Sequence, residues 1–495
     1  MDFLVTLNLI SDPWIPVVDR SGHRRVIAPW QMADEAILGP DWPRADLNIA
    51  CYELLIGLVH MADPPEDIDD WENREAPDPD RLRAKLTAYE NAFNLTGDGP
   101  LFLQDLEPLE GAPNPPDMLF IDSAGANTAK NNADLVVHRG RYRGLDLPLA
   151  AMALFTFQAH APSGGKGNRT SMRGGGPMVT LVDPQDGLWS LVWANVPYGV
   201  SASLTELPWM NPTRVSDNKQ EAHPPQGQTF SVEAFFGAPR RLRLVAEHDV
   251  VTGVIQKPYG ANYASWVHPL SPYYRQKAGD VALPVHPRAG TFGYRHWLGI
   301  LTQPHDAELA QRAACLDTWE NGRSGQRPAH VIVAGWAMDN MKPRDFVYSV
   351  QPFIELSEDS RLVLSGLVDA ADNAAVALRN ALTPILARGE AREAEREAFY
   401  IATEPAFLAR LEALKSDVDP SKVCAGWRDD LKSEALRRFD ALALPALAQR
   451  HSTDIQKIVT ARRNLTGTCA GYGKYGKQLY QALGLDLPST KGKAA

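Results

Sequence analysis

The sequence predicts an α+β fold, with a large mixed domain over residues 1–355 followed by a four-helix bundle over residues 356–495. Three observations carry this expectation. The chain has 495 residues, more than the ~250–300 at which a single core usually stops growing. Beyond about Leu356 the composition shifts to Ala, Leu, Glu and Arg, with apolar residues at helical spacing. Before that point, short strand-like runs alternate with a few helices and with connectors rich in Pro and Gly.

Phe3 to Ile10 alternates weakly and leads into Pro13-Trp14-Ile15-Pro16-Val17. A turn at Asp19-Arg20-Ser21-Gly22 and a second run around Arg25-Val26-Ile27 predict a hairpin whose prolines block further pairing. Leu47, Cys51, Leu54, Leu55 and Leu58 share one helical face, and another helix is expected from Pro79 to Phe93. An apolar helix ends at Gln158-Ala159-His160, and Met178 to Val182 reads as a strand. Leu188 to Trp193 and Arg241 to Val245 are expected as further strands, and Val215 to Gln228 as a mobile connector. Val331–Trp336 and Phe346–Val350 flank a polar tip and predict a β-hairpin. In the tail, the faces Leu364/Leu367/Val368/Ala371, Phe407/Leu411/Leu414, Trp427/Leu431/Ala435 and Ile455/Ile458/Val459/Arg462 make four helices.

Composition narrows the function classes. A hydrophobic content of 44% and a charged content of 22% describe an ordinary globular protein. The formal net charge of −10 argues against indiscriminate coating of nucleic acid, so any such site has to be a local basic feature. Residues 449–495 are one candidate, with eight Lys plus Arg against two Asp. Cys51, Cys315, Cys424 and Cys469 are scattered, which fits a reducing cytoplasm and no cysteine metal site. The N-terminus lacks a basic leader and no long apolar run stands out, so neither secretion nor membrane spanning is expected. No H-E-x-x-H, Cys-His set or G-x-S-x-G elbow occurs, and neither a cofactor, a metal nor catalysis is predicted.

The most informative stretch runs from Ala161 to Pro177, with six glycines and the basic residues Lys166, Arg169 and Arg173. Main-chain N–H groups freed by glycine, interleaved with cations, suit phosphates. The P-loop spacing fails because Gly167 follows Lys166, and G-x-G-x-x-G fails because Thr170 follows Arg169. On composition alone a mobile surface loop is the simpler reading. Residues 125–143 form a second polar stretch, in which Lys130, His138, Arg139, Arg141 and Arg143 face only Asp134. Its Arg-Gly-Arg-Tyr-Arg run suits single-stranded nucleic acid, and a solvated basic loop fits equally well.

The order helix, Ala-Pro, glycine-rich loop, Arg-Gly-Gly and strand resembles CasA, the large subunit of the type I-E CRISPR surveillance complex Cascade. In that family the loop lies against the protospacer-adjacent motif (PAM) of target DNA. The run Trp266-x-His268-Pro269-x-Ser271-Pro272 is similar to a family run. Counting back from it places Lys257 where the family has a lysine reaching into the PAM minor groove. Asp339, Asn340 and Met341 fall at the tip that resembles the family's strand-separating wedge. Trp14-Ile15-Pro16-Val17 and the helical tail are also similar to CasA. The resemblance implies a PAM and DNA site at Gly164, Gly165, Lys166, Gly167, Arg169, Lys257, Asp339, Asn340 and Met341. It also implies a guide-RNA or DNA loop at Lys130, Arg139, Arg141 and Arg143. The implied partners are the other Cascade subunits, a guide CRISPR RNA, target double-stranded DNA and a helicase-nuclease, in the cytoplasm. Some relatives hold a cysteine zinc site just upstream of Lys257. Ala246-Glu247-His248-Asp249 stands there in this chain, so no zinc is expected. His268 reads as a packed core histidine.

Two rival readings stay open on the sequence. One is a nucleotide- or phosphosugar-binding enzyme using the glycine-rich loop 163–176. The other is a structural scaffold with inert loops.

Overall fold

A computed structural model describes residues 6–488 apart from 124, 126–129, 133–136, 166, 228, 229, 305, 326, 417 and 446. The start of the weakly alternating run Phe3–Ile10 and the residues Asp134 and Lys166 therefore lie outside the described residues. The chain is α+β and divides into two compact units: Met1–Gly290 with Asp306–Phe353, and Thr291–His305 with Ile354–Ala495.

In the first unit, β1 (Ile15–Asp19) pairs antiparallel with β2 (Arg24–Ile27) on one side and with β3 (Ile37–Pro40) on the other. The central helix, Ala45–Ala62, is buried nearly all round. By length and composition it could cross a membrane, which the sequence reading did not allow for, but 83% of it is buried inside the protein. It packs against the helix Leu147–His160, which is also apolar on all faces. A second sheet orders β4 (Leu145–Asp146), β7 (Val250–Lys257) and β6 (Arg241–Glu247) with β7 in the middle. β5 (Val179–Asp183) pairs with β11 (His330–Asp339), which pairs with β12 (Lys342–Pro352), so a third sheet carries the predicted hairpin. A small sheet joins β8 (Tyr273–Tyr274), β9 (Leu283–Pro284) and β10 (Ala310–Gln311).

One expected strand is a helix. Leu188 to Trp193 is not a strand but the middle of the helix Gly187–Asn195. A continuous apolar run fits a buried strand and a buried helix equally well. Tertiary contacts decide it: the Trp193 ring stacks on Trp71, and Asn195 Nδ2 donates to Leu191 O at 2.8 Å and to Val182 O at 2.7 Å.

In the second unit the long helices are Glu358–Ala381, Glu390–Lys415, Pro420–Ala443 and Ser452–Cys469. Asp419 caps the third, accepting from Ser421 N, with Pro420 at the first helical position. Trp427, Phe407, Leu411 and Leu431 form the core, and Trp427 Nε1 donates to Leu367 O at 2.8 Å. Tyr294, supplied by the upstream segment, stacks on Phe407 with ring centroids 4.3 Å apart. The expected face Ile455/Ile458/Val459/Arg462 is buried only at Ile458, while Val459 is 56% exposed. A fifth helix, Gly473–Ala482, packs on the first, where Gly366 lets the Ala482 carbonyl come close.

Candidate nucleic-acid interface

The helix Leu147–His160 stops because Ala161 turns extended before Pro162. Two main-chain bonds then close the glycine-rich loop at its base. Ser171 N donates to Ala161 O and Gly176 N to His160 O, each at 2.9 Å. At the tip, Asn168 Nδ2 donates to Gly164 O at 2.6 Å and Asn168 N to Gly165 O at 3.3 Å. Gly164 and Gly165 are exposed on this turn.

The tip meets the end of β7. Tyr259 N donates to Gly167 O at 2.6 Å, and a Cβ on Gly167 would lie 2.7 Å from Pro258 Cβ. Gly167 also has φ +78°, so both its backbone and its neighbour demand glycine. The fold thereby sets the predicted loop beside the strand end that carries the half-buried Lys257.

A third segment, which the sequence reading took as a mobile connector, completes the junction. Arg169 Nε donates to Ser216 Oγ at 2.8 Å and its Nη2 to Ser216 O at 2.9 Å. Ser216 is 1% exposed, and its Oγ donates to Gly260 O at 2.6 Å. No motif marks Ser216; the Arg-Val-Ser run looks like any polar connector.

Arg173 departs from the phosphate reading of the loop. It is 4% exposed, donates through Nη2 to Glu53 Oε2 and through Nη1 to Ser271 Oγ at 3.1 Å, and so faces inward. His160 Nε2 lies 2.8 Å from Glu53 Oε1, and His268 Nε2 lies 3.9 Å from the same carboxyl. Burial pushes the Glu53 carboxyl up, but the charges of Arg173 and His160 outweigh it and hold the group well below the usual carboxylate range. His268 is a buried core residue, and burial followed by the Arg173 charge holds its imidazole well below the ordinary value. The cluster ties the central helix, the loop exit and the His-Pro run together.

The exit of the loop also abuts the hairpin. Gly176, at φ +63°, faces the Trp336 carbonyl with no room for a side chain. The strand after the loop, β5, pairs with β11 from Val179↔Ala334 to Asp183↔His330. At the far end Asn340 and Met341 have φ +49° and +62°, the positive pair that a two-residue hairpin turn requires. Asp339 accepts from Asn340 Nδ2 at 3.0 Å and pairs with Arg344 Nη2 at 2.8 Å, so its charge is balanced within the turn. Met341 is 51% exposed.

The basic stretch 125–143 differs from its sequence reading. Arg141 is bidentate to Asp122, at 3.0 and 2.8 Å, and its guanidinium lies over Phe120 and Tyr142. Asp122 also accepts from Arg44 at 3.1 Å. The counter-charge thus comes from outside residues 125–143. Arg139 Nη2 donates to Asn132 Oδ1 at 3.0 Å, and Lys130 and Arg143 are exposed.

Among the described residues, no group of three or more His, Cys, Asp or Glu side chains could hold a metal ion. What the fold assembles is an α+β protein in which one glycine loop bonds the segment just after a lysine-bearing strand end and leads through β5 into the sheet of a polar-tipped hairpin. The sequence signature of CRISPR-associated protein Cse1 matches residues 8–438, and the chain belongs to that family. It is 29% identical over 296 residues to the CRISPR-associated protein CasA/Cse1 of Thermus thermophilus, covering 56% of this chain. That alignment spans 55%, about half, of the relative's own length. The fold matches Thermobifida fusca Cse1 at a TM-score of 0.74 and 18% identity, over 97% of this chain and 98% of that one. It matches Thermus thermophilus CasA at 0.71 and 18% identity, over 96% and 99%. A chain of a CRISPR RNA-guided surveillance complex matches at 0.70 and 15% identity, over 93% and 99%.

Proposed function

We propose that this chain is the non-catalytic large subunit of a CRISPR RNA-guided surveillance complex and reads the PAM of target duplex DNA. In such systems base pairing to RNA reads the sequence, while protein reads a short duplex motif and its shape. The observation that carries the reading is the joint between Gly167 and Tyr259, which sets the exposed glycines of the loop beside Lys257. Glycine backbone and one lysine suit the minor groove, where base readout is degenerate and several motifs are accepted. The hairpin tip, linked to the same loop through Gly176 and β5, is the wedge that starts strand separation. The partners are the other subunits, a guide RNA, target double-stranded DNA and a recruited helicase-nuclease, in the cytoplasm. The enzyme alternative is weaker because Glu53, His160 and His268, the titratable cluster at Arg173, are buried and face one another.

The test is selection of duplexes with a fixed guide-complementary tract and a randomised flank by the assembled complex. A short enriched flanking motif is expected, and Lys257→Ala is expected to flatten its enrichment. It should also lower the salt slope of binding by about one if the lysine touches a phosphate. A flat flank in the wild type would remove the reading.

A further inference from the structure

Arg240 is 6% exposed and lies directly beneath the glycine loop. Its Nη2 donates to Pro162 O at 2.5 Å and its Nε to Arg169 O, so one guanidinium holds both ends of the loop tip. The side chain stacks over Phe157 at 5.1 Å. Its main chain is fixed by Gln158, which accepts from Arg240 N and donates to Arg240 O, each at 3.0 Å. A Cβ on Gly164 would lie 3.5 and 3.6 Å from the two terminal nitrogens, so only a glycine separates this charge from the exposed face of the loop.

Two other buried arginines of this unit meet carboxylates: Arg173 meets Glu53, and Arg312 meets Asp317 and Glu320. Arg323 meets the carbonyls of Trp193, Ala194 and Val196 at the end of a helix, where the backbone dipole is negative. Among the described residues, Arg240 and Arg169 have no carboxylate within ion-pair distance. Arg240 bonds loop carbonyls, and Arg169 bonds Ser216. Burying a charge without a counter-charge is costly, and the cost falls when an anion completes the site. The field of the two guanidinia emerges where Gly164 and Gly165 leave the backbone open to an approaching ligand.

We propose that Arg240 and Arg169 make the exposed face of Gly164 and Gly165 a phosphate site for the backbone of duplex DNA. Arg240 acts as a positioning residue: it holds the loop closed and supplies positive charge from below without reaching the ligand. This rests on the reading of the loop as DNA-facing, and it adds a phosphodiester contact set by a residue outside every motif.

The experiment uses the full chain with two probes, inorganic phosphate and a duplex of about 30 base pairs, long enough to cover a typical specific interface. Phosphate is expected to raise the wild-type Tm above that in chloride at equal ionic strength, since a ligand that binds only the folded state stabilises it. Arg240→Met should lose that rise and lower the salt slope of duplex binding by about one. Arg240→Lys keeps the charge but cannot span both carbonyls, so it should keep part of the phosphate effect and lose motif preference. If Arg240→Met does not fold, Arg169→Gln must show a reduced phosphate effect in its place. An unchanged phosphate effect in both variants, or none in the wild type, overturns the site. Single-stranded RNA binding as tightly as the duplex, with the same loss in Arg240→Met, overturns the assignment to duplex DNA. A flanking-motif preference that survives without any phosphate effect would sink this inference and leave the PAM reading standing. A phosphate effect that depends on Arg240 without any motif preference would do the reverse.

Discussion

Glu53 and Arg173 form an ion pair, Nη2 to Oε2, with side chains 1% and 4% exposed, between the central helix and the exit of the glycine loop. A pair so deeply buried contributes little net attraction after desolvation, yet breaking it from one side leaves a bare charge in the core. Arg173→Met is therefore expected to cost about 3–5 kcal/mol, and Glu53→Gln with Arg173→Met to recover most of it. Equilibrium urea unfolding of the wild type, the two single variants and the double variant measures this. Full additivity of the two single substitutions would show that the residues are not coupled.

Acid sensitivity should arise from histidines held neutral. Burial lowers His60 and His268 below the ordinary value, with the Arg173 charge adding to the effect at His268. A base whose folded pKa is depressed binds its proton more readily in the unfolded chain. Stability should then rise with pH up to the unfolded value near ~6.5 and fall as pH drops from about 7 towards 5. Glu53 acts in the same direction but lower. Its contribution is present above the unfolded carboxylate value of ~4.3 and is lost only as pH falls through its depressed folded value. Tm measured from pH 8 to pH 5, on the ~3-unit span those references bracket, should decline on the acid side. His268→Asn should decline less steeply, and a flat profile in the wild type would contradict the assignment.

At the hairpin tip, Asn340 and Met341 already sit at positive φ. Glycine at both positions therefore relieves the backbone and keeps the turn while deleting the side chains. If the tip is a wedge, the double glycine variant slows guide–target pairing on an intact duplex. There each opened step costs ~1.4 kcal/mol before pairing offsets it. A target mismatched and open beside the PAM should bind at the wild-type rate. Equal slowing on both targets would reduce the hairpin to a docking surface.

Arg141 and Arg143 should separate. Arg141 is neutralised by Asp122, so Arg141→Ala is expected to lower stability by about 1–3 kcal/mol while leaving the salt slope of RNA binding unchanged. Arg143 is exposed, and if the loop faces nucleic acid, Arg143→Ala should lower that slope by about one. The opposite pattern, with Arg141 dominating the slope, would mean that the Asp122 pair opens on binding.

Local pattern was enough to place the central helix, the β1–β2 and β11–β12 hairpins and the long helices of the tail. Each rests on spacing within a dozen residues and on turn residues at known offsets. The candidate glycines, Lys257 and the Asp339–Met341 tip could be named from short motifs in a particular order. Their adjacency could not, because the bonds from Gly167 to Tyr259 and from Arg169 to Ser216 join segments far apart in sequence. The same distance explains the misreadings. Arg173 and Arg141 read as free cations in local sequence because their partners Glu53 and Asp122 lie outside their own segments. Leu188–Trp193 looked like a strand because an apolar run carries no period, and the Trp71 ring decides its geometry. Arg240 carries no signal at all in the sequence. Its role depends on burial without a counter-charge, and burial is a property of the packed chain that no local window contains.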